Sequence, residues 1–160
     1  MQYEAAIFDL DGTLVNSLDD LADSANAVLH RHGFPVHDVE AYRYFVGNGS
    51  RKLIERILPA DHAVDEEFVR DFLAEYKEQY AANLLHKTKP YAGIMEMLEE
   101  LRRRRIPMAV CTNKHQSAAE VIMEALFPRD MFCEIIGDQD GLPCKPDPRK
   151  VLHIMENMGV

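Results

Sequence analysis

The chain has 160 residues, 47% hydrophobic and 28% charged, with a net charge of -9. That length suits one ordinary core, or a core carrying a small inserted lobe, and the composition is that of a globular domain. The acidic balance excludes nucleic-acid binding through a broad basic surface.

The three cysteines, Cys111, Cys133 and Cys144, have neither disulfide-scaffold nor zinc-knuckle spacing, which fits a reducing compartment. No apolar window approaches the roughly 18 residues of a membrane span, and the N-terminus lacks the basic region of a signal peptide. No membrane role is expected, and the expected compartment is cytoplasmic.

In chain order, "AAIFD" is a short apolar run closed by Asp and Gly and reads as a buried strand. Ser17 with Asp20 has capping-box spacing, and a helix follows with Leu18, Leu21, Ala25, Val28 and Leu29 on one stripe. Gly33 is its stop. "DVEAYRYF", "SRKLIERIL" and "DEEFVRDFLAEYKEQYAANLL" read as three more helices, so residues 16–84 are expected to be all-helical. "GIMEMLEELRRRR" is a helix whose arginine run suits a C-terminus, where cations complement the dipole. The strand "IPMAVCT", the helix "QSAAEVIMEALF" and the strand "CEIIG" follow. A last helix, "PRKVLHIMENMG", has Asp147 as its expected N-cap. Strands alternating with helices imply a parallel sheet wrapped by helices, which the first strand joins across the helical insert.

The chemistry begins where the first strand ends. Asp9 and Asp11 stand at i and i+2, which in extended chain puts both carboxylates on one side, roughly 7 Å apart. The C-terminal edge of a parallel sheet is where such folds place ligands, and two like charges there call for an ion. A calcium loop is excluded, because Gly12 stands fourth in the motif instead of sixth. A plain polar turn is the bland alternative. Farther on, the strand "MAVCTNK" ends in Thr112, Asn113 and Lys114, a hydroxyl and an amide that can seat an anion or form an ordinary N-cap turn. In "CKPDP", Pro146 biases Lys145 toward an extended backbone at a further sheet edge.

Asp9-Leu10-Asp11-Gly12-Thr13, then Thr112-Asn113, then Lys145-Pro146, resemble in order and spacing the haloacid dehalogenase-like hydrolases, and within them most the phosphoglycolate phosphatases. The resemblance covers essentially the whole chain, and its DxDGT pentapeptide is the specific part. It implies an α/β fold: a Rossmann-like parallel sheet core, residues 1–15 and 85–160, with an inserted all-helical cap, residues 16–84. It implies a Mg2+-dependent phosphatase of small phosphorylated metabolites. Asp9 would be the nucleophile and Asp11 the general acid and base. Gly12, Thr112, Asn113 and Lys145 would bind phosphate, and Mg2+ would lie on the Asp9 carboxylate and the Asp11 backbone carbonyl. Gly47, Asn48 and Gly49, in "GNGSRK", are expected to approach the substrate from the cap, since glycines permit close backbone contact.

The family's fourth motif, a strand ending in Gly-Asp with a further metal-binding acid, normally follows the helix after the lysine. "EIIGDQDG" precedes Lys145 and is not assigned to it. The chain is therefore expected to be the first two thirds of such an enzyme, with a core incomplete at its C-terminus, weakened metal binding and doubtful activity. "AAIFD" would then be an exposed apolar sheet edge inviting self-association. Two other readings stand beside this one. A sugar phosphomutase shares the core, though "GNGSRK" lacks an evident acid-base pair for a sugar ring. A non-catalytic fragment would bind phosphate or a partner chain.

Overall fold

The computed structural model describes residues 3–160, in two compact units. One comprises residues up to Asn16 together with Lys89–Val160, the other Ser17–Thr88.

The first unit is built on a parallel sheet. Strands β1 (Ala6–Phe8), β4 (Met108–His115) and β5 (Glu134–Asp138) lie in the order β1-β4-β5. β1 runs beside β4 in the register Ala6↔Met108, Ile7↔Ala109 and Phe8↔Val110. β4 runs beside β5, with an irregularity between Cys111 and His115. β4 is the middle strand and buried from Met108 to Lys114, first through the apolar run 108–111 and then through the polar Thr112, Asn113 and Lys114. Ala109 and Cys111 share one face with Ile136 of β5 and Ile154 of helix α8 (Arg149–Met158), and Ile7 and Val151 pack against them. β1 is outermost among the described residues and only half-buried, so "AAIFD" forms a shorter and more open strand than its composition suggests.

A second pairing is invisible in the sequence. Strands β2 (Val15–Asn16) and β3 (Lys89–Pro90) form a two-residue antiparallel ladder, Val15↔Pro90 and Asn16↔Lys89. Helices α6 (Ile94–Arg103) and α7 (Gln116–Leu126) complete the unit. Arg102 and Arg103 lie in the last turn of α6 as expected. Hydrogen bonds from Arg103 and then Arg104 hold the Glu100 carboxyl down at about 2.

The second unit is helical: α1 (Leu18–Arg31), α2 (Tyr42–Phe45), α3 (Ser50–Ile57), α4 (Ala60–Ala63) and α5 (Glu66–Asn83). Its core joins Leu21, Ala25, Val28 and Leu29 of α1 to Leu53, Ile54 and Ile57 of α3 and to Val69, Phe72 and Tyr76 of α5. Tyr42 is fully buried, and its hydroxyl donates to Asn26 Oδ1 at 2.8 Å, as a buried phenol must find a partner. Gly33 ends α1 with φ 72°, while Gly33 N–H donates to His30 O and Phe34 N–H to Leu29 O. The expected helix "DVEAYRYF" is a 3-10 turn at Val39–Ala41 running into the single turn of α2, and α4 is an extra turn set by Pro59.

Two expected caps are corrected. Ser17 is the N-cap of α1 but its side chain makes no cap hydrogen bond. Asp20 does not reach back to it. It is 1% exposed and accepts from Lys87 N at 3.0 and 2.9 Å, from Thr88 N at 2.8 Å and from Thr88 Oγ1 at 2.7 Å. A distant segment with three donors has displaced the local motif. At α8 the N-cap is Pro148, one residue later than expected, although Asp147 Oδ1 still accepts from Arg149 N at 3.0 Å.

The "GNG" segment has a dedicated clamp. Arg56 of α3 donates through Nη1 to Phe45 O at 2.8 Å and to Tyr44 O at 3.4 Å, and through Nη2 to Asn48 Oδ1 at 2.8 Å. Gly47 and Gly49 have φ of 101° and 85°, left-handed conformations that side chains resist. We expect Arg56→Ala to release residues 44–49. Their amide hydrogen exchange should speed up by about tenfold while the α1 and α5 amides stay unchanged. Unchanged exchange at 44–49 would show that the loop holds itself.

Candidate active site

β1 ends at Phe8, and the chain then turns tightly. The Leu10 carbonyl accepts from Thr13, Leu14 and Val15 N–H at 3.2, 3.0 and 3.1 Å. Leu10 is fully buried and anchors the turn, so Asp9 and Asp11 flank a fixed residue. Gly12 takes φ 77°, and its N–H donates to Val15 O at 2.9 Å. Its amide is therefore committed to the turn, and what Gly12 contributes is the bend.

Each aspartate has a lysine. Asp9 Oδ1 accepts from Leu10 N at 2.8 Å and lies 2.9 Å from Lys145 Nζ. Both Asp11 oxygens accept from Lys114 Nζ, at 3.0 and 3.1 Å. The Lys114 side chain is only 4% exposed, so water weakens this pair little. The two acids thus do not face each other uncompensated.

Lys145 also donates to Cys111 O at 2.7 Å. Its backbone is gripped by the Asn113 carboxamide: Lys145 N donates to Asn113 Oδ1 at 2.7 Å, and Asn113 Nδ2 donates to Lys145 O at 3.0 Å. The Asn113 side chain therefore positions the lysine. Thr112 Oγ1 accepts from Lys114 N at 3.1 Å, which leaves the hydroxyl proton as a donor. The bonds fall into two sets carried by the same strands: Asp9, Lys145 and Asn113 in one, Asp11, Lys114 and Thr112 in the other, with Gly12 in the turn that follows Asp11. Gly47, Asn48 and Gly49 belong to the helical unit.

Two participants were not picked out from the sequence, Lys114 and Lys150. Lysines are solvated by default, and neither has a local motif. Lys114 carried one clue, its place in the buried strand "MAVCTNK". Burial pushes the Cys111 thiol up, against the opposing pull of Lys145 and Lys150, so this cysteine is a packing residue and no thiolate nucleophile.

Gly137 of β5 supports the cluster from behind. A methyl there would lie 2.7 Å from Lys114 O and 2.8 and 2.9 Å from Gln116 Cα and N, all backbone atoms. We expect Gly137→Ala to cost about 1–3 kcal/mol in urea unfolding, because the backbone bearing Lys114 must move. An unchanged midpoint would mean that the strand ends yield freely.

Among the described residues no cluster of three or more His, Cys, Asp or Glu side chains is arranged to hold a metal ion. Asp9 Oδ2 makes no hydrogen bond among the described residues, which leaves one carboxylate oxygen open to a cation. A magnesium ion held by one or two carboxylates, with waters and substrate phosphate completing its shell, fits that donor set. No helix among the described residues is long and apolar enough to cross a membrane.

A phosphoglycolate phosphatase of Pseudomonas putida is 38% identical over 159 residues, covering 96% of this chain and 57% of the relative. One of Psychrobacter arcticus is 34% identical over 100% of this chain and 72% of the relative. The chain thus spans between somewhat over half and three quarters of the length of these two relatives. A crystal structure from Lactobacillus delbrueckii subsp. bulgaricus, provisionally assigned as a phosphoglycolate phosphatase, superposes with a TM-score of 0.92 at 29% identity, covering 100% of this chain and 75% of that one. The family model for haloacid dehalogenase-like hydrolases matches residues 6–160. With its parallel sheet, its aspartate-bearing turn and a match over nearly its whole length, the chain belongs to the haloacid dehalogenase-like hydrolase family.

Proposed function

We propose that this chain is a phosphoric monoester hydrolase, or the phosphate-handling part of one, acting on small phosphorylated metabolites of the phosphoglycolate type. The observation that carries the proposal is the cluster itself: two aspartates, each on a lysine, beside the Thr112 hydroxyl at the open end of a parallel sheet.

Asp9 is the nucleophile. Its carboxylate oxygen forms a bond to phosphorus as the ester oxygen leaves, giving an aspartyl-phosphate and dividing one hard displacement into two easier ones. Asp11 enters this step protonated and delivers that proton to the leaving alcohol, becoming the carboxylate that Lys114 holds. It then takes one from the water that attacks the aspartyl-phosphate, which returns Asp9 and frees inorganic phosphate. Lys114 holds the Asp11 carboxylate in position for both transfers. Lys145, gripped by Asn113, and the Thr112 hydroxyl stabilise charge on the phosphoryl oxygens. Mg2+ on the Asp9 carboxylate and the Asp11 backbone carbonyl would supply the remaining charge neutralisation.

Residues 16–84 act as a cap on the leaving-group side, with Gly47, Asn48 and Gly49 approaching the substrate. The clamped, left-handed "GNG" segment is what supports that assignment. The open side of β1 is the proposed surface for self-association, because an outer strand presents unpaired backbone groups. Sedimentation at rising concentration checks this, and a monomer throughout would refute it. The competing reading is a phosphate-binding chain without turnover, since the same lysines and the Thr112 hydroxyl would hold an anion whether or not Asp9 attacks it. Hydrolysis of an aryl phosphate with and without Mg2+ separates the two. Mg2+-dependent release with a trappable acyl-phosphate on Asp9 supports the hydrolase, and phosphate binding without release supports the alternative.

A further inference from the structure

Lys150 is fully buried. Its Nζ donates to Thr112 O at 3.3 Å, a long bond, and it has no carboxylate at salt-bridge distance among the described residues. It also stands in the first turn of α8, where the helix dipole disfavours a cation, and no acidic residue shares that turn. Desolvation and the dipole therefore both count against this ammonium in the unliganded fold. The neighbouring lysines differ, since Lys114 and Lys145 each have an aspartate. The one acid beside this corner on β5 is Asp138, whose Oδ1 accepts from Cys144 Sγ at 3.2 Å.

We propose that Lys150 is a positioning residue whose uncompensated charge is offset by bound phosphate. This rests on the phosphate reading given above. Lys145 lies against Asp9 and Lys114 against Asp11, so each of these two cations is set against an anion of the cluster, whereas the charge of Lys150 is not, and it adds to whatever Mg2+ supplies. Lys150 adds one buried positive charge next to Thr112. It works through Thr112, whose carbonyl it holds and whose hydroxyl faces the cluster. Lacking any exposed surface, it reaches the anion through the protein interior, where charge is poorly screened.

The test uses the full chain, inorganic phosphate as the probe, and two variants. Lys150→Met removes charge and donor while keeping the volume, and Lys150→Gln removes the charge and keeps a donor. Without phosphate both variants are expected to melt at or above the parent temperature. With phosphate both should bind about tenfold more weakly by calorimetry, and show a smaller phosphate-dependent rise in Tm. Parent-like affinity in both variants overturns the proposal. So does recovery of full affinity by Lys150→Gln, which would assign the effect to the hydrogen bond. Loss of native structure in both would make Lys150 a residue of the fold alone and overturn it too. A parent chain that gives no phosphate-dependent shift refutes the phosphate reading itself, and the proposal with it. That result is distinct from a parent that binds and variants that bind alike.

Discussion

Asp9→Asn is expected to lower aryl phosphate turnover by a factor on the order of a thousand or more, since an amide cannot form the acyl-phosphate. Stability should hardly change. The Asn side chain keeps an oxygen at the position of Oδ1, which accepts from Leu10 N. The contact with Lys145 Nζ is lost only as an ion pair, and both side chains are partly exposed, at 27% and 43%, so the difference should stay within about 1 kcal/mol. Turnover measured alongside a urea melt checks both halves. Residual activity near that of the parent would remove Asp9 as the nucleophile. A large loss of stability would mean that the charge itself holds the turn.

The largest effect on folding is expected at a residue far from the proposed chemistry. Asp20→Ala should destabilise the helical unit by about 2–5 kcal/mol, a large share of a typical domain's stability. The carboxylate is buried and takes two backbone N–H groups and a hydroxyl from Lys87 and Thr88. Truncation leaves those donors without their acceptor. Asp20→Asn should cost less, because its one remaining oxygen can still accept. Thermal melts of the two variants check the order, and a parent-like Asp20→Ala would show that water replaces the carboxylate without penalty.

How much of this could be read from the sequence follows from how local each signal is. Asp9 and Asp11 could be singled out because they follow a strand and precede a glycine, Thr112 because it closes an apolar run, and Lys145 because prolines stand close around it between β5 and α8. The parallel sheet could be read because strand and helix textures alternate. What stayed hidden depends on partners remote in the chain. Asp20 has capping-box spacing, but Lys87 and Thr88 outbid Ser17. Asn113 was expected at the phosphate, and nothing local says that its carboxamide grips Lys145. β2 and β3 are two residues each, too short to carry a period. Lys150 reads as one more polar residue on an amphipathic helix, and only the packing of α8 reveals it as buried.

The β2–β3 ladder has a practical consequence. Asn16 and Lys89 are paired directly opposite each other, so the chain departs for the helical lobe and returns from it at adjacent points. Antiparallel neighbours of this kind can be joined by a two-residue turn such as Asn-Gly. The ladder is therefore a natural graft point. The lobe between its strands could be excised, or exchanged for that of another family member, without asking the sheet to rearrange. A shortened chain of this design would keep β1, β4 and β5 with the aspartate-bearing turn, a direct route to measuring the chemistry of that unit on its own.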